Sequence, residues 1–188
     1  MSLGQSAQAE PGGDHGDGLI GIMRQDFFVG GLGFLKKLRA VAVGAEGAYS
    51  EGEGDITFPA TMRHSARYPA DLAALDRVAG KGVPVVTILL SGRTVSANDL
   101  INRSDAFIAA WLPGTEAQGI SDLLFARRNG PPAYDFSGTL SFDWPAGDCL
   151  RPGESQFRRG YGLSYRRPAR VGRLPVGPAI ANCPPDSQ

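Results

Sequence analysis

Two short runs of apolar residues stand out in the middle of the chain. Residues 83–90 are almost purely apolar and rich in β-branched side chains, and residues 106–111 repeat that pattern. Neither run alternates with polar residues, which is typical of strands covered on both faces of a parallel sheet. A shorter apolar run over residues 38–43 ends at Gly44 and predicts a third buried strand.

The segments after these runs carry helix signals. Residues 69–79 begin with proline, hold three leucine or valine residues at helical spacing and are followed by glycine, which predicts a helix. A serine and an aspartate three residues apart predict a short helix over residues 96–102. Thr115 and Gln118 form a capping-box pattern, which predicts a helix ending near residue 127.

The end of the chain has a different character. Residues 138–144 alternate in polarity and predict a last strand, whereas the sequence from residue 147 onward is rich in Pro, Gly and Arg. We therefore predict a poorly assigned segment at 1–37, an α/β core at 38–147 and a tail at 148–188 that wraps around the core or links it to another domain.

The order of these elements predicts an α/β fold. Strands that alternate with helices form a mostly parallel sheet with helices on both faces. In such a sheet, ligands bind where the carboxyl ends of the strands meet. Three of the predicted strands run into loops rich in glycine and polar residues, at 44–55, 91–94 and 112–116. We expect a functional site at that edge.

Composition narrows the possible partners. The 188 residues suffice for one domain, and 19 basic residues balance 19 acidic ones, which argues against binding to nucleic acid or to an anionic membrane. No apolar run approaches the roughly 18 residues of a membrane span. The apolar runs near the start lack a basic flank and a small-residue cleavage site, so no signal peptide is predicted.

Cysteine and histidine offer little for a metal site. Cys149 and Cys183 are too few for a zinc site, and the residues alone leave a disulfide and two unpaired thiols equally open. His15 and His64 have no ligand-like spacing. The sequence therefore predicts neither a metal nor another cofactor.

Several motifs resemble those of one enzyme family. The sequence has SGR at 91–93, AAWLPGTEAQG at 109–119, DLLF at 122–125 and GYGLSY at 160–165, in that order, and EGAYSEGEGD at 46–55 upstream of them. Together they resemble the C-terminal α/β domain of family 3 glycoside hydrolases, which are β-glucosidases and exo-β-glucan glucohydrolases. The resemblance implies a flavodoxin-like three-layer α/β/α sandwich and a periplasmic or secreted protein.

The resemblance also implies roles for particular residues. In this family a (β/α)8 barrel domain carries the aspartate nucleophile, and in one branch a loop of the α/β domain carries the acid/base, which corresponds here to Glu51. Glu53 is the alternative acid/base, and Asp55 and Arg93 are candidates for sugar binding. Because no barrel is present in this sequence, we expect the chain alone to be an incomplete enzyme for β-glucosides or β-glucans.

The chemistry fits a glutamate in such a loop. Retaining hydrolysis needs two carboxyl groups about 5–5.5 Å apart, and the acid must keep its proton near neutral pH. Gly52 and Gly54 follow Glu51 and allow the loop to move, so a closing partner domain could bury its carboxyl group and raise its pKa. Judged without the resemblance, Glu51 is equally well a solvated carboxylate in an acidic loop that also contains Glu46, Glu53 and Asp55.

Other features have simpler interpretations. Trp111 ends an apolar strand, and this position favours packing in the core over a role as a sugar platform. Arg93 follows a strand end, and this position favours a structural role in bracing the sheet edge. The seven arginines between 151 and 173 suit a tail that packs on another domain. Two other functions remain open: a non-catalytic module that binds a partner domain or a sugar, and a domain that binds phosphate or nucleotide, although no phosphate-loop motif is present.

Overall fold

The computed structural model describes the backbone of residues 20–23 and 40–46 and, in full, residues 61–125, 132, 134–149, 151, 153–180 and 183. The strands described are β1 (Ile20–Met23), β2 (Ala40–Glu46), β3 (Val85–Ser91), β4 (Ala106–Trp111), β5 (Trp144–Pro145) and β6 (Ser155–Phe157). The helices described are α1 (His64–Arg67), α2 (Pro69–Val78), α3 (Asn98–Ile101) and α4 (Gln118–Leu124), with a 3-10 turn at Gly114–Glu116.

Four strands form one sheet in the order β1-β4-β3-β2. Strands β2, β3 and β4 are parallel, with Val41 opposite Val86 and Val86 opposite Ala106. These are the three strands that the apolar runs predict, with shifts of one to three residues at the ends of β2 and β3 and none in β4. Strand β1 pairs antiparallel with β4 and places Ile20 opposite Ala109. This edge strand lies in the N-terminal stretch that the sequence pattern leaves unassigned.

Both faces of the sheet are covered, as the unbroken apolar runs predict. On one face, alternate residues of the two central strands, such as Leu89 and Phe107, pack with Leu75 of α2 and with α3. On the other face, the intervening residues, such as Ile88 and Ile108, pack with α4. Because side chains alternate across a strand, two continuous apolar strands supply both cores, and the result is a three-layer α/β/α arrangement.

Polar groups between α3 and β4 are paired within the fold. The hydroxyl groups of Thr87 and Ser104 lie 2.6 Å apart, and Ser104 also donates to the Leu100 carbonyl at 2.7 Å. The carboxylate of Asp105 accepts a hydrogen bond of 2.7 Å from the backbone amide of Val85 at the start of β3. Asp105 therefore has the local structural role that its position indicates.

The predicted last strand over residues 138–144 is wrong. Only Trp144–Pro145 is a strand, and it pairs with Ser155–Phe157 in a separate two-stranded sheet. The preceding stretch is hydrogen-bonded to a turn instead. The Leu140 carbonyl accepts from the Gly160 amide, and the Leu140 amide donates to the Tyr161 carbonyl. Without a neighbouring strand, the alternation in this stretch cannot produce a ladder.

The two capping predictions are also wrong, although helices form near both places. Helix α4 follows a 3-10 turn and has Ala117 at its N-cap without a side-chain cap, and it ends at Leu124 rather than near residue 127. The hydroxyl of Ser96 is directed to Asp148, at 3.4 Å, and does not cap α3. At Ser96 a tertiary partner therefore replaces the local hydrogen bond that the spacing suggests, whereas the Thr115 hydroxyl donates to its neighbour Glu116.

The tail is tied to the core. Cys149 and Cys183 form a disulfide across 34 residues, which decides between the two states that the sequence left open. In the GYGLSY segment, the Tyr165 hydroxyl donates to the Leu123 carbonyl at 2.6 Å. Burial, and then the nearby charge of Asp135, raise the pKa of Tyr165. Among the residues described, no helix combines the length and apolar character needed to cross a bilayer.

Substitution of Gly162 tests the packing of this segment. A Cβ at this position would collide with the carbonyl oxygen of Gly138 and lie 3.3 Å from the Thr139 Cα. We expect Gly162→Ala to lower the free energy of unfolding by about 1–3 kcal/mol through overpacking. Gly172→Ala is the matched control, because a Cβ there meets nothing within 4 Å. Equal denaturation midpoints for the two variants would contradict this account.

Candidate functional site

The carboxyl ends of the three parallel strands meet at one edge of the sheet. Glu46, the last residue of β2, is opposite Ser91, the last residue of β3. Leu90 is opposite Trp111, the last residue of β4, after a shift of register between Leu89 and Leu90. The strand ends that lead into the three glycine-rich loops are therefore neighbours, as the predicted topology requires.

A tight turn follows β3. The buried hydroxyl of Ser91 donates to the carbonyl of Arg93 at 2.7 Å and accepts from the Arg93 amide at 3.3 Å. Gly92 lies between them, and a Cβ there would contact Leu112 Cδ1 at 3.4 Å. The turn fixes the backbone of Arg93 beside the end of β4, and its side chain is half-buried. The role of the Arg93 side chain, whether bracing or sugar binding, stays a prediction.

The end of β4 is strained. Trp111 has φ of 53°, and no other non-glycine residue in the described part of the chain has a positive φ. Such a conformation costs of order 1–3 kcal/mol for a bulky residue and persists only when the surroundings enforce it. The indole packs edge-on against Phe142 at 5.9 Å and lies 6.2 Å from the fully buried Trp144, between ring centroids. These contacts support the packing interpretation of Trp111.

Apolar side chains remain exposed beside this strained residue. Leu112 is 68% exposed and Phe142 is 52% exposed, and together with the half-buried Trp111 we name them the edge patch. The patch lies at the sheet edge where ligands bind in folds of this type. Adjacent apolar side chains that stay exposed mark a surface that another molecule or domain covers.

Three of the predicted site residues fall outside the residues that the structure describes: Glu51, Glu53 and Asp55. In the sequence they lie between Glu46, the last residue of β2, and Thr61, where the described residues continue. The structure resumes at residues 61–64, which we name the return end. There the Met62 amide donates to the Asp148 carbonyl at 2.7 Å, and Ser96 donates to the Met62 carbonyl at 2.8 Å.

The return end also contains an ion pair that the sequence analysis missed. Arg63 Nε lies 2.7 Å from Asp148 Oδ1, across 85 residues of chain. No spacing rule links residues so far apart, and no pattern in the sequence marks Arg63 or Asp148. Beside this pair, the buried His64 has its Nε2 2.8 Å from Asp71 Oδ2.

The described residues offer no cluster of ligands for a metal. Among them, no group of three or more His, Cys, Asp or Glu side chains could hold an ion. The described residues therefore supply a scaffold at the sheet edge: an apolar patch, a fixed turn with an arginine, and the end of β2 that precedes the candidate carboxylates in the sequence.

An α/β sandwich with this edge and these motifs belongs to a known class of carbohydrate-active domain. The sequence model of the glycosyl hydrolase family 3 C-terminal domain matches residues 37–165. The chain therefore belongs to that family. No protein among the curated sequences matches it.

Solved structures of this family share the fold. An exo-1,3/1,4-β-glucanase from a Pseudoalteromonas species is 36% identical with a TM-score of 0.59, over 64% of this chain and 20% of that one. A β-glucosidase from Listeria innocua in complex with gluconolactone is 26% identical with a TM-score of 0.53, over 70% of this chain and 21% of that one. The chain thus spans about a fifth of the length of these enzymes.

The two tryptophans of the chain allow a direct test of the edge geometry. In Trp111→Phe the remaining indole is that of Trp144, which is fully buried, so we expect blue-shifted emission and weak quenching by acrylamide. In Trp144→Phe the remaining indole is the half-buried Trp111, and we expect stronger quenching. Strong quenching of Trp111→Phe would mean that Trp144 is not in the core.

Proposed function

We propose that this chain is the acid/base-bearing half of a retaining glycoside hydrolase of the β-glucosidase type, which acts on β-glucosides or β-glucans. The observation that carries the proposal is that β2 ends with Glu46 at the carboxyl edge of the sheet, beside the end of β3. The residues that follow Glu46 in the sequence include Glu51, in a motif that resembles the acid/base loop of the family.

The proposed chemistry divides the two carboxyl groups between two domains. A barrel domain supplies the nucleophile, and Glu51 protonates the leaving oxygen and later activates water. For the first of these steps, Glu51 must be protonated near neutral pH. Covering the sheet edge with a second domain would desolvate the carboxyl group and raise its pKa, which is the required direction.

The edge patch supports a docked domain at this position. Leu112, which follows Trp111 in the sequence, and Phe142, which packs against the Trp111 ring, are large apolar side chains that remain exposed. A barrel domain that packs there would bury them and close the site over the sugar. The enzymes similar to this chain are about five times its matched length, which agrees with a partner domain of substantial size.

The similar enzymes indicate the substrate class. One is an exo-1,3/1,4-β-glucanase, and a mutant of the Listeria innocua β-glucosidase was solved with laminaribiose. We therefore propose β-linked glucosides as substrates and leave the preferred linkage open. Arg93 and Asp55 are proposed as contacts to sugar hydroxyl groups.

The decisive test is chemical rescue. The chain is paired with a barrel half of the family, and hydrolysis of an aryl β-glucoside is measured for the wild type and for Glu51→Gly. Loss of the acid/base should lower turnover by about 10²–10⁴-fold. Azide should restore turnover and yield β-glucosyl azide, because an activated leaving group needs little acid and azide needs no base.

Glu53→Gly is the matched control, since it removes the same group two residues away. It should retain activity and show no azide product. If Glu53→Gly is rescued and Glu51→Gly is not, Glu53 is the acid/base. If the wild-type pair folds and associates but never hydrolyses the glucoside, the chain is instead a non-catalytic module that binds a partner domain or a sugar.

A further inference from the structure

The last described part of the chain lies across the core as a strap, which we define as residues 171–180 together with Cys183. Leu174 is buried in the core cluster beside α3. Asn102 fixes its backbone from both sides, accepting from the Leu174 amide and donating to its carbonyl, each at 2.8 Å. Asn98 donates to the carbonyl of Pro175 at 3.0 Å. This polar fastening of an irregular segment indicates that its position is specified.

The strap continues onto the ion pair at the return end. Arg63 Nη2 donates to the carbonyl of Gly177 at 2.9 Å, and the amide of Ile180 donates to Asp148 Oδ2 at 2.9 Å. The side chains of Asp148 and Arg63 are only 2% and 13% exposed. The strap thus removes the ion pair from water, and it forms one wall of a cavity of about 180 Å³ beside Ser96 and Asn98.

Asp148 joins three separate parts of the chain. Its carbonyl and carboxylate bind Met62 and Arg63 of the return end, its carboxylate is 3.4 Å from the Ser96 hydroxyl in the loop after β3, and it accepts from Ile180 of the strap. The next residue, Cys149, carries the disulfide to the end of the strap. Because the buried Asp148 carboxylate binds groups of the return end, the loop after β3 and the strap at once, it favours a single arrangement of these three segments.

We propose that Arg63 and Asp148 are positioning residues: their strap-covered ion pair fixes the return end of the segment 47–60, and the Cys149–Cys183 disulfide keeps the strap in place over it. Reduction by a dithiol, which becomes a cyclic disulfide as the two cysteines become thiols, releases the strap and loosens the return end. The meaning of this for catalysis rests on the proposed role of Glu51; the anchoring itself does not.

Amide hydrogen exchange resolved by NMR tests the anchoring on the chain itself. We compare the wild type, Asp148→Asn, Arg63→Lys and the wild type reduced with dithiothreitol. Exchange at Met62, His64, Ser96 and Ile180 should rise together by about tenfold or more in each case, because these amides bond within the Asp148 arrangement. Exchange at the central strands β3 and β4 should not change.

Asp76→Asn is the matched control. It breaks an ion pair with Arg103 by the same substitution, but Asp76 is 53% exposed, and Arg103 is none of the residues that Asp148 binds. It should leave all four amides unchanged.

Two outcomes overturn the anchoring. One is a rise at Ile180 alone, which would make Asp148 a local tie of the strap. The other is unchanged exchange at Met62 and His64 after reduction. If Asp148→Asn fails to fold, Arg63→Lys and the reduced wild type are judged by the same criteria. Arg63→Lys keeps the positive charge, and the reduced wild type has no substitution.

Activity of the chain paired with a barrel half tests the positioning role. Arg63→Lys should slow a glucoside with a poor leaving group about tenfold more than a dinitrophenyl glucoside, because only the former depends strongly on the acid. A merely structural defect would lower both rates equally, and that result would overturn the positioning role. If the wild-type pair is inactive, the proposed function fails while the exchange data still decide the anchoring.

Discussion

Strand β3 is paired on both sides and covered on both faces, and the rest of the described structure is arranged around it. All seven of its residues face partners in β2, and five residues from Val86 to Leu90 face partners in β4. Its alternate side chains enter two different cores. This double pairing fixes the level at which neighbouring strands end, so Glu46, Ser91 and Trp111 come to the same edge. A site at that edge follows from the pairing.

The carboxyl edge of the sheet combines a strained backbone conformation with exposed apolar side chains. The positive φ of Trp111 follows directly after a change of register between β3 and β4, and two aromatic rings hold the indole in place. Strain of this kind is stored where the surroundings are rigid, and it is common at functional sites. The same turn places Leu112 in water. The strained backbone at Trp111 therefore costs stability, and it precedes an apolar side chain, Leu112, that stays exposed.

The sequence predicts the parts of this protein that depend on local pattern. Continuous apolar runs located β2, β3 and β4 because burial on both faces leaves a direct imprint on composition. Pattern failed where tertiary partners replaced local ones, as when Ser96 turned to Asp148, and where β1 had only four residues in a glycine-broken stretch. The family motifs predict a role for Glu51, which lies outside the described residues, and they contain no sign of Arg63 and Asp148, because that pairing is set by the folded tail.

The separation between the partners of this anchor has a consequence for how the protein is made. Arg63 contacts Asp148 across 85 residues and Gly177 across 114 residues. Contacts between distant residues close large loops and form late in folding. During synthesis the parallel sheet can assemble as soon as β4 is available, whereas the return end gains its partners only after Asp148 and the strap have been made. The residues that form the sheet are thus available before the residues that bind Arg63, which gains its last described partner only after Gly177 has been made.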